Sequence, residues 1–231
     1  MDKNIFITGI GSGYGKALAK LFLEKGYTVY ALGRKIPEDL KNKVFFQKCD
    51  LKALETVYKS VENLLKDVKK LEFVILNAGL LTELKDIHDT PIYEMEDMMD
   101  VNVWANKIIL DFFIDKKINI DMIIAISSGA SVNGNRGWHG YSISKAALNM
   151  LIKLYSREME KTHLISLAPG LILTPMLENF VLSADEIKFP SVKRIEEAKK
   201  MTPEEAAKLL FSNLEKFKSF PSGSYIDIRN I

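Results

Sequence analysis

A glycine-rich turn between an apolar strand and a helix limits the folds that this chain can adopt. Residues Asn4–Thr8 predict a short buried strand, and residues 9–15 contain four glycines. Apolar residues at helical spacing predict a helix over 16–25, and residues 27–32 predict a second strand. A strand, a helix and a second strand in this order form a βαβ unit, which implies a parallel sheet.

The glycine turn also indicates a site for a phosphate group. A helix that begins at such a turn presents unpaired N–H groups and the positive end of its dipole to an anion. The spacing is Gly9-x-x-x-Gly13-x-Gly15, which matches neither of the two common glycine motifs. A P-loop is excluded because Lys16 is followed by Ala17, and the usual dinucleotide pattern fails in every register. A plain tight turn is the alternative.

Arg34 follows the second predicted strand, where a dinucleotide-binding fold chooses between two cofactors. An acid at this point binds the adenosine ribose, whereas an arginine accommodates a 2′-phosphate. Gly33 and Arg34 supply a cation and no acid. A solvated loop arginine is the alternative. We therefore predict NADP(H) as the preferred cofactor, with NAD(H) as the second choice.

The composition describes an ordinary globular chain with nearly balanced charge. Hydrophobic residues make up 47% and the formal net charge is +2, which disfavours a nucleic-acid partner. No apolar run reaches transmembrane length, so we expect no membrane partner. The single cysteine, Cys49, cannot form an intrachain disulfide, which favours a cytoplasmic setting. The three histidines are scattered along the chain, and we expect no metal site.

Residues 127–145 bring together groups suited to proton transfer. Ser127 and Ser128 follow the apolar run 122–126, which predicts a buried strand. Tyr141 and Lys145 are one helical turn apart, so they project from one face of a predicted helix. A nearby ammonium group favours the phenolate and lowers the pKa of a phenol. The alternative is that Tyr141 and Lys145 are simply an exposed pair of side chains on the helix surface.

The remaining pattern alternates strands with helices. Strands are predicted over 44–46, 73–76, 164–168 and 224–228, and helices over 53–68, 93–113, 141–160 and 202–217. Residues 175–200 are predicted to be irregular. Several strands end in small or polar residues that let a ligand approach the backbone.

Together these features resemble the short-chain dehydrogenase/reductase family over essentially the whole chain. The matching residues are Thr8, Gly9, Gly13, Gly15, Asp50, Leu51, Asn77, Ala78, Gly79, Asn102, Ser128, Tyr141, Lys145, Pro169, Gly170, Ile172 and Thr174. The resemblance implies an α/β fold: a doubly wound, Rossmann-type, mostly parallel sheet with helices on both faces. Residues 1–231 would form a single dinucleotide-binding catalytic domain, with a substrate-loop segment at about 175–200.

The resemblance further implies hydride transfer between a nicotinamide and a small-molecule carbonyl or secondary alcohol. Tyr141 would donate the proton, and Lys145 would lower its pKa and hold the nicotinamide ribose. Ser128 would orient the substrate oxygen; the family's separation of thirteen residues from the tyrosine selects it over Ser127. Asn102 would hold a water that links Lys145 to solvent.

The cofactor contacts implied by the resemblance lie at the ends of several strands. They are Gly9, Ile10, Ser12, Gly13, Tyr14, Gly15, Arg34, Asp50, Leu51, Asn77, Ala78, Gly79, Tyr141, Lys145, Pro169, Gly170, Ile172 and Thr174. Ser12 stands where many NADP-preferring relatives place a second cation. The 2′-phosphate site would therefore rest mainly on Arg34, with help from Ser12 and Lys35.

Assembly and substrate are less constrained by the sequence. Relatives often form homodimers or homotetramers through two long helices, here 93–113 and 141–160. The C-terminal strand lacks the family's Asp-Gly-Gly motif, which places that edge of the sheet in doubt. Trp138 and His139 are candidates for substrate recognition, with packing as the alternative.

Two other functions compete with the reductase. One is a non-catalytic NAD(P)-binding redox sensor on the same fold, but a sensor needs no set of proton-transfer groups. The other is an epimerase or dehydratase, which the short segment after residue 175 disfavours because it leaves little room for a nucleotide-sugar domain.

Overall fold

Seven parallel strands form one continuous sheet in the computed structural model, which describes residues 3–182 and 185–231. The strands are β1 (Asn4–Thr8), β2 (Thr28–Gly33), β3 (Phe45–Lys48), β4 (Lys70–Leu76), β5 (Asn119–Ile126), β6 (His163–Ala168) and β7 (Ser224–Asp227). Their order across the sheet is β3-β2-β1-β4-β5-β6-β7. The strand order therefore reverses between β1 and β4, and a ligand crevice is expected at their carboxyl ends.

Helices connect the strands and lie on both sides of the sheet. They are α1 (Gly13–Glu24), α2 (Leu54–Leu65), α3 (Ile92–Met99), α4 (Ala105–Asp115), α5 (Ala130–Asn133), α6 (His139–Glu158), α7 (Pro175–Leu182), α8 (Ser191–Glu197), α9 (Pro203–Ser212) and α10 (Leu214–Phe217). Among the described residues, none of the helices has the length and apolar character needed to cross a bilayer.

Alternate residues of β1 show how the two faces are covered. Ile5 and Ile7 pack into a core that includes residues of α1 and α9, whereas Phe6 packs on the other face with residues of α2 and α4. All three side chains are fully buried. Since both faces of the sheet are covered, the central strands β1 and β5 contain apolar runs, at residues 5–7 and 122–126. The predicted α/β class with a doubly wound parallel sheet is confirmed.

Two glycines allow α1 to begin directly against the end of β1. A Cβ on Gly15 would lie 2.1 Å from the carbonyl oxygen of Gly9, so no side chain fits there. Gly9 has φ +77°, which favours glycine, and a Cβ on it would lie 2.9 Å from Ala78 Cα. Asn77 joins the same place, since its Nδ2 donates to the carbonyl oxygens of Thr8 and Gly9 at 3.0 Å each.

The edge that the sequence left in doubt is a regular strand. β7 pairs in parallel with β6, from Ile165 opposite Ser224 to Ala168 opposite Asp227. The Asp227 side chain accepts a hydrogen bond from the Arg229 backbone N–H at 3.0 Å, which begins a short 3-10 turn. The strand thus forms without the family's usual glycines.

Two predicted helices are interrupted. The helix expected over 93–113 contains a π-helical turn, Asp100–Trp104, in which the N–H of Ala105 bonds back five residues to the carbonyl of Asp100. The helix expected over 202–217 divides into α9 and α10 at Asn213. Both breaks keep nearly helical spacing of apolar residues, so periodicity alone does not reveal them.

The segment predicted to be irregular contains two short helices, so that prediction is wrong for most of its length. These are α7 and α8, of eight and seven residues. Helices this short are marginal on their own and depend on tertiary packing, which the sequence does not display. Residues 183 and 184 of the predicted segment lie outside the described residues.

Candidate active site

A cavity of about 800 Å³ opens at the carboxyl ends of the strands, where the strand order reverses. Every predicted cofactor-binding residue except Ile10 lines it, and so do Ser128, Tyr141 and Lys145 of the predicted catalytic group. Ile10 is fully buried in the core instead. Asn102 is also fully buried and lies behind the cavity wall.

The end of the cavity where the phosphates are predicted to bind is the N-terminus of α1. Ser12 precedes the helix without capping it through its side chain, and the first turn contains no acidic residue. The N–H groups of that turn are therefore open to an anion. Tyr14 lines the cavity, but its phenol is buried and has no hydrogen-bond partner among the described residues. Burial raises the pKa of Tyr14, so this residue contributes its backbone and not an ionised side chain.

The end of the cavity where the adenosine is predicted to bind carries both free and paired charges. Arg34 and Lys35 are exposed, line the cavity and make no ion pair with any described residue. Lys52 and Asp97 also line it, but they pair with each other at 2.7 Å. Asp50 accepts a hydrogen bond from the Lys52 backbone N–H at 3.1 Å. The open positive charge of this rim therefore comes from Arg34 and Lys35.

α6 and the end of β5 bring the predicted catalytic group together. Tyr141 and Lys145 stand one turn apart on α6, with the Lys145 Nζ 5.7 Å from the centroid of the Tyr141 ring. The Ser128 hydroxyl, just beyond β5, lies next to the Tyr141 phenol and acts to lower its pKa. Lys145 Nζ donates to the carbonyl oxygen of Ile126, the last residue of β5, at 2.7 Å. The three side chains thus share one corner of the cavity.

The two neighbouring serines have different environments. Ser127 is buried, and its Oγ donates to Asn149 Oδ1 at 2.6 Å. Asn149 Nδ2 in turn donates to Ser131 Oγ at 2.9 Å, and Ser131 donates to the Ser128 carbonyl oxygen at 2.7 Å. Ser127 therefore supports the loop, while the Ser128 hydroxyl lies beside the phenol.

The Asn102 carboxamide is occupied by protein partners. Its Oδ1 accepts from the Leu80 N–H at 2.7 Å, and its Nδ2 donates to the Leu80 carbonyl and to Ser144 Oγ at 2.9 Å each. Ser144 Oγ donates to the Tyr141 carbonyl oxygen at 2.9 Å. Asn102 is thus linked to the backbone of Tyr141 through Ser144. Its predicted water remains a prediction.

The pKa values of the pair differ from the expectation that Lys145 lowers the pKa of Tyr141. In the protein alone, burial raises the pKa of Tyr141 to about 12, and the neighbouring Ser128 hydroxyl only partly opposes this. Burial lowers the pKa of Lys145 to about 8. The lysine nitrogen lies over the ring and bonds to Ile126, so it does not contact the phenol oxygen directly. The ammonium form is nevertheless the main one at neutral pH.

Apolar side chains line the cavity beside the phenol. Trp138 packs with Leu81, Leu84 and Leu177, and its ring centroid lies 5.9 Å from that of Tyr141. The predicted recognition residue His139 is buried and does not line the cavity: its Nε2 lies 3.0 Å from the Glu83 carbonyl oxygen. Trp138 therefore forms part of the cavity wall, and His139 is a packing residue.

Several supporting residues carry no motif that the sequence could reveal. Ser144 and Asn149 lie on α6 but act through partners far away in the chain. Ser191 accepts a hydrogen bond from Trp138, 53 positions earlier. In the described part of the chain, no group of three acidic, histidine or cysteine side chains could hold a metal ion.

The cavity fits a dinucleotide on three physical grounds. Its size lies within the range of small-molecule sites. The uncapped start of α1 suits a pyrophosphate. Gly79 keeps the space next to Lys145 open, because a Cβ on this residue would lie 3.5 Å from Lys145 Nζ. The free cations Arg34 and Lys35 lie where further negative charge would be bound.

Comparison with known proteins is consistent with this geometry. A model of the family described as short chain dehydrogenase matches residues 3–184. The benzil reductase ((S)-benzoin forming) of Bacillus cereus is 30% identical, covering 97% of this chain and 98% of its own. The protein of the same name from Bacillus subtilis (strain 168) is 29% identical over 96% of this chain and 97% of its own.

A solved structure shares the fold over nearly the whole length. The short chain dehydrogenase family protein from Francisella tularensis subsp. tularensis SCHU S4 superposes with a TM-score of 0.84. It is 24% identical, and the match covers 99% of this chain and 97% of that one.

We expect Lys145 to impose a pH dependence on stability. Its folded-state pKa is about 8, below the value of about 10.4 for an unfolded lysine, so the unfolded state binds more protons between these values. Stability should therefore rise by roughly 2 kcal/mol between pH 7 and pH 9.5 because of this residue. Urea unfolding of wild type and Lys145→Met measures the difference.

The matched control is Lys153→Met, an exposed lysine on the same helix. This variant should keep the wild-type pH dependence. If Lys145→Met also keeps it, the Lys145 ammonium is not desolvated as the structure indicates.

Proposed function

The chain belongs to the short-chain dehydrogenase family and is an NAD(P)-dependent oxidoreductase acting on CH–OH or C=O groups, and we propose that it is an NADP(H)-dependent reductase of neutral, aryl-substituted ketones. The observation that carries this proposal is an apolar wall beside Ser128, Tyr141 and Lys145 in one cavity. A non-catalytic sensor, an epimerase and a dehydratase have less support, because the relatives of similar length are named reductases.

The substrate class rests on the chemistry of the cavity wall. Trp138, Leu81 and Leu177 form an apolar cluster, and Leu80 and Leu171 line the same cavity. Among the described lining residues on α6, α7 and the loop after β6, Lys145 is the sole charged side chain. A carboxylate substrate would find no cation there apart from the lysine of the catalytic group. A flat aromatic ketone suits this wall, and two relatives of similar length are named benzil reductases.

The proposed chemistry assigns one task to each polar side chain. When bound, the reduced nicotinamide supplies the hydride that reaches the carbonyl carbon. Tyr141 donates its phenolic proton to the carbonyl oxygen, on which negative charge develops, and is then reprotonated from solvent. The Ser128 hydroxyl, which lies next to the phenol, holds the same oxygen in place. The Lys145 ammonium stabilises the phenolate that remains.

The preference for NADP(H) over NAD(H) rests on the rim at the adenosine end. Arg34 and Lys35 are exposed cations that line the cavity, and no acid stands at Gly33 or Arg34 to bind the ribose hydroxyls. A guanidinium group can make two parallel bonds to a phosphate. We assign the 2′-phosphate to Arg34, with Lys35 beside it over Gly11.

The substrate-loop segment at 175–200 is part of this proposal. α7 supplies Leu177 to the apolar cluster, and α8 supplies Ile195. Both helices thus lie against the wall that the aryl group would contact. A cytoplasmic location also belongs to the proposal, because the single cysteine is buried and free.

We propose a homodimer or homotetramer built on α4 and α6. Large apolar side chains are exposed on and next to these helices: Trp104, Ile143, Met150 and Leu154 are 43%, 43%, 54% and 55% exposed. Apolar side chains gathered on one surface mark an interface. If two copies of the chain associate through this surface, these apolar side chains become buried between them.

Replacement of Tyr141 by phenylalanine should nearly abolish reduction of benzil by NADPH. Loss of a general acid lowers kcat by about 100- to 10,000-fold. NADPH affinity should change less than twofold, since the phenol is one of many contacts. Absorbance at the NADPH band and calorimetry measure the two quantities, and a panel of other carbonyls tests the substrate class. Tyr155→Phe, on the same helix with its hydroxyl on Asp111, should keep full activity.

Retained turnover in Tyr141→Phe would remove the phenol from the mechanism. Tight NADPH binding without reduction of any carbonyl in the panel by the wild type would exclude the proposed reductase.

Replacement of Arg34 by alanine should weaken NADPH binding by about 10- to 100-fold, because charge-assisted hydrogen bonds to the 2′-phosphate are lost. NADH, which lacks that phosphate, should bind within about twofold of wild type. Calorimetry with both dinucleotides measures this, and Arg157→Ala at the far end of α6 is the control. Equal losses for both cofactors would exclude the assignment of the phosphate to Arg34.

Replacement of Leu154 by glutamate should dissociate the assembly, since a charge would enter the proposed interface. Light scattering should give two or four times 26.2 kDa for wild type and 26.2 kDa for the variant. Phe45→Glu, exposed on strand β3, is the control and should leave the mass unchanged. A wild-type mass of one chain would contradict the proposed assembly.

A further inference from the structure

One buried hydrogen bond connects α8 to the wall of the cavity. Trp138 Nε1 donates to Ser191 Oγ at 2.9 Å, and the two residues are 8% and 5% exposed. Ser191 is the first residue of α8 and does not line the cavity. It acts on the cavity through Trp138.

The indole lies between this hydrogen bond and the proton donor. Its ring is tilted by 48° against the Tyr141 ring, with 5.9 Å between the centroids. Leu81, Leu177 and Ile195 pack against the same small cluster. A substrate carbonyl that reaches the Tyr141 phenol therefore has one substituent next to the indole.

The hydrogen bond fixes the plane of that indole. The torsion between Cβ and an aromatic ring has broad wells, so apolar packing alone tolerates more than one ring orientation. A buried indole N–H without an acceptor is destabilising, because the group has lost its hydrogen bonds to water. The orientation that reaches Ser191 Oγ is therefore favoured over the alternatives.

Other contacts hold α8 and the Trp138 loop together, so the fold does not depend on this bond. Arg194 of α8 donates a hydrogen bond to Asn135 Oδ1 in the Trp138 loop at 2.7 Å. Phe189 packs on Gly137, where an added Cβ would lie 2.6 Å from its ring. Removal of the Ser191 hydroxyl should accordingly leave α8 in place.

We propose that Trp138 is a specificity-determining residue for aryl substrates and that Ser191 is the positioning residue that sets its plane. This inference rests on the proposed reductase function. Hydride reaches the carbonyl from one side only, so the substituent that fits against the indole determines which face of the carbonyl is attacked. Trp138 and Ser191 thereby determine which enantiomer of the alcohol fits the site.

The two enantiomers of 1-phenylethanol, titrated into the protein saturated with NADPH, test this without turnover, because this aryl alcohol has no carbonyl group that the reduced cofactor could reduce. Wild type should bind one enantiomer more tightly. The affinity ratio should fall by about fivefold in Ser191→Ala, the factor expected for one hydrogen bond. It should fall at least as much in Trp138→Phe and be restored in Ser191→Thr, which keeps the hydroxyl.

The control is Ser212→Ala, which removes a hydroxyl bonded to the Leu209 carbonyl in α9. Its affinity ratio should equal that of wild type. Thermal unfolding and NADPH affinity show whether each variant is folded. If Ser191→Ala does not fold, the affinity ratio is measured in Ser191→Cys instead.

A wild type that binds neither enantiomer, or binds both equally, overturns the inference. An unchanged ratio in Trp138→Phe also overturns it, and an unchanged ratio in Ser191→Ala alone overturns the role of Ser191. Failure of the proposed function has a different signature: benzil is not reduced by wild type, although the 1-phenylethanol ratios change as expected.

Discussion

The close approach of α1 to the end of β1 is the constraint on which the site depends. No atom of a side chain fits between Gly15 and the Gly9 carbonyl, and Asn77 bonds to the same carbonyl from β4. These contacts fix the start of α1 over the point where the strand order reverses. The anion-binding end of the helix and the residues after β4 therefore face one cavity.

A buried positive charge stands at the opposite end of that cavity. Lys145 is 3% exposed, and its ammonium is held by the Ile126 carbonyl at the end of β5. Desolvation makes this arrangement costly, as the lowered pKa of Lys145 shows. A group that costs stability is retained where chemistry uses it. In the proposed reaction, the lysine would act on Tyr141 through its charge over the ring and through the helix that carries both.

The sequence was sufficient to predict what depends on local spacing. The βαβ unit, the glycine turn and the Tyr141–Lys145 pair are each contained within a few turns of the chain, and the structure brings them to one cavity. The position of Lys145 Nζ could not be predicted, because its partner Ile126 lies on another element. The same holds for Ser191 and for helices α7 and α8, which are held by contacts distant in the chain.

The charged and apolar side chains around the cavity are segregated, and this affects the rate at which each ligand meets the protein. The exposed cations Arg34 and Lys35 stand at the adenosine rim, whereas the wall near Trp138 is apolar. Attraction between charges extends over a Debye length, about 10 Å at 0.1 M salt, and accelerates the encounter of a polyanion with such a rim. A neutral ketone experiences no such attraction and arrives by unguided diffusion. In the proposed reaction, the two reactants would therefore be captured by different forces, one acting at a distance and one only on contact.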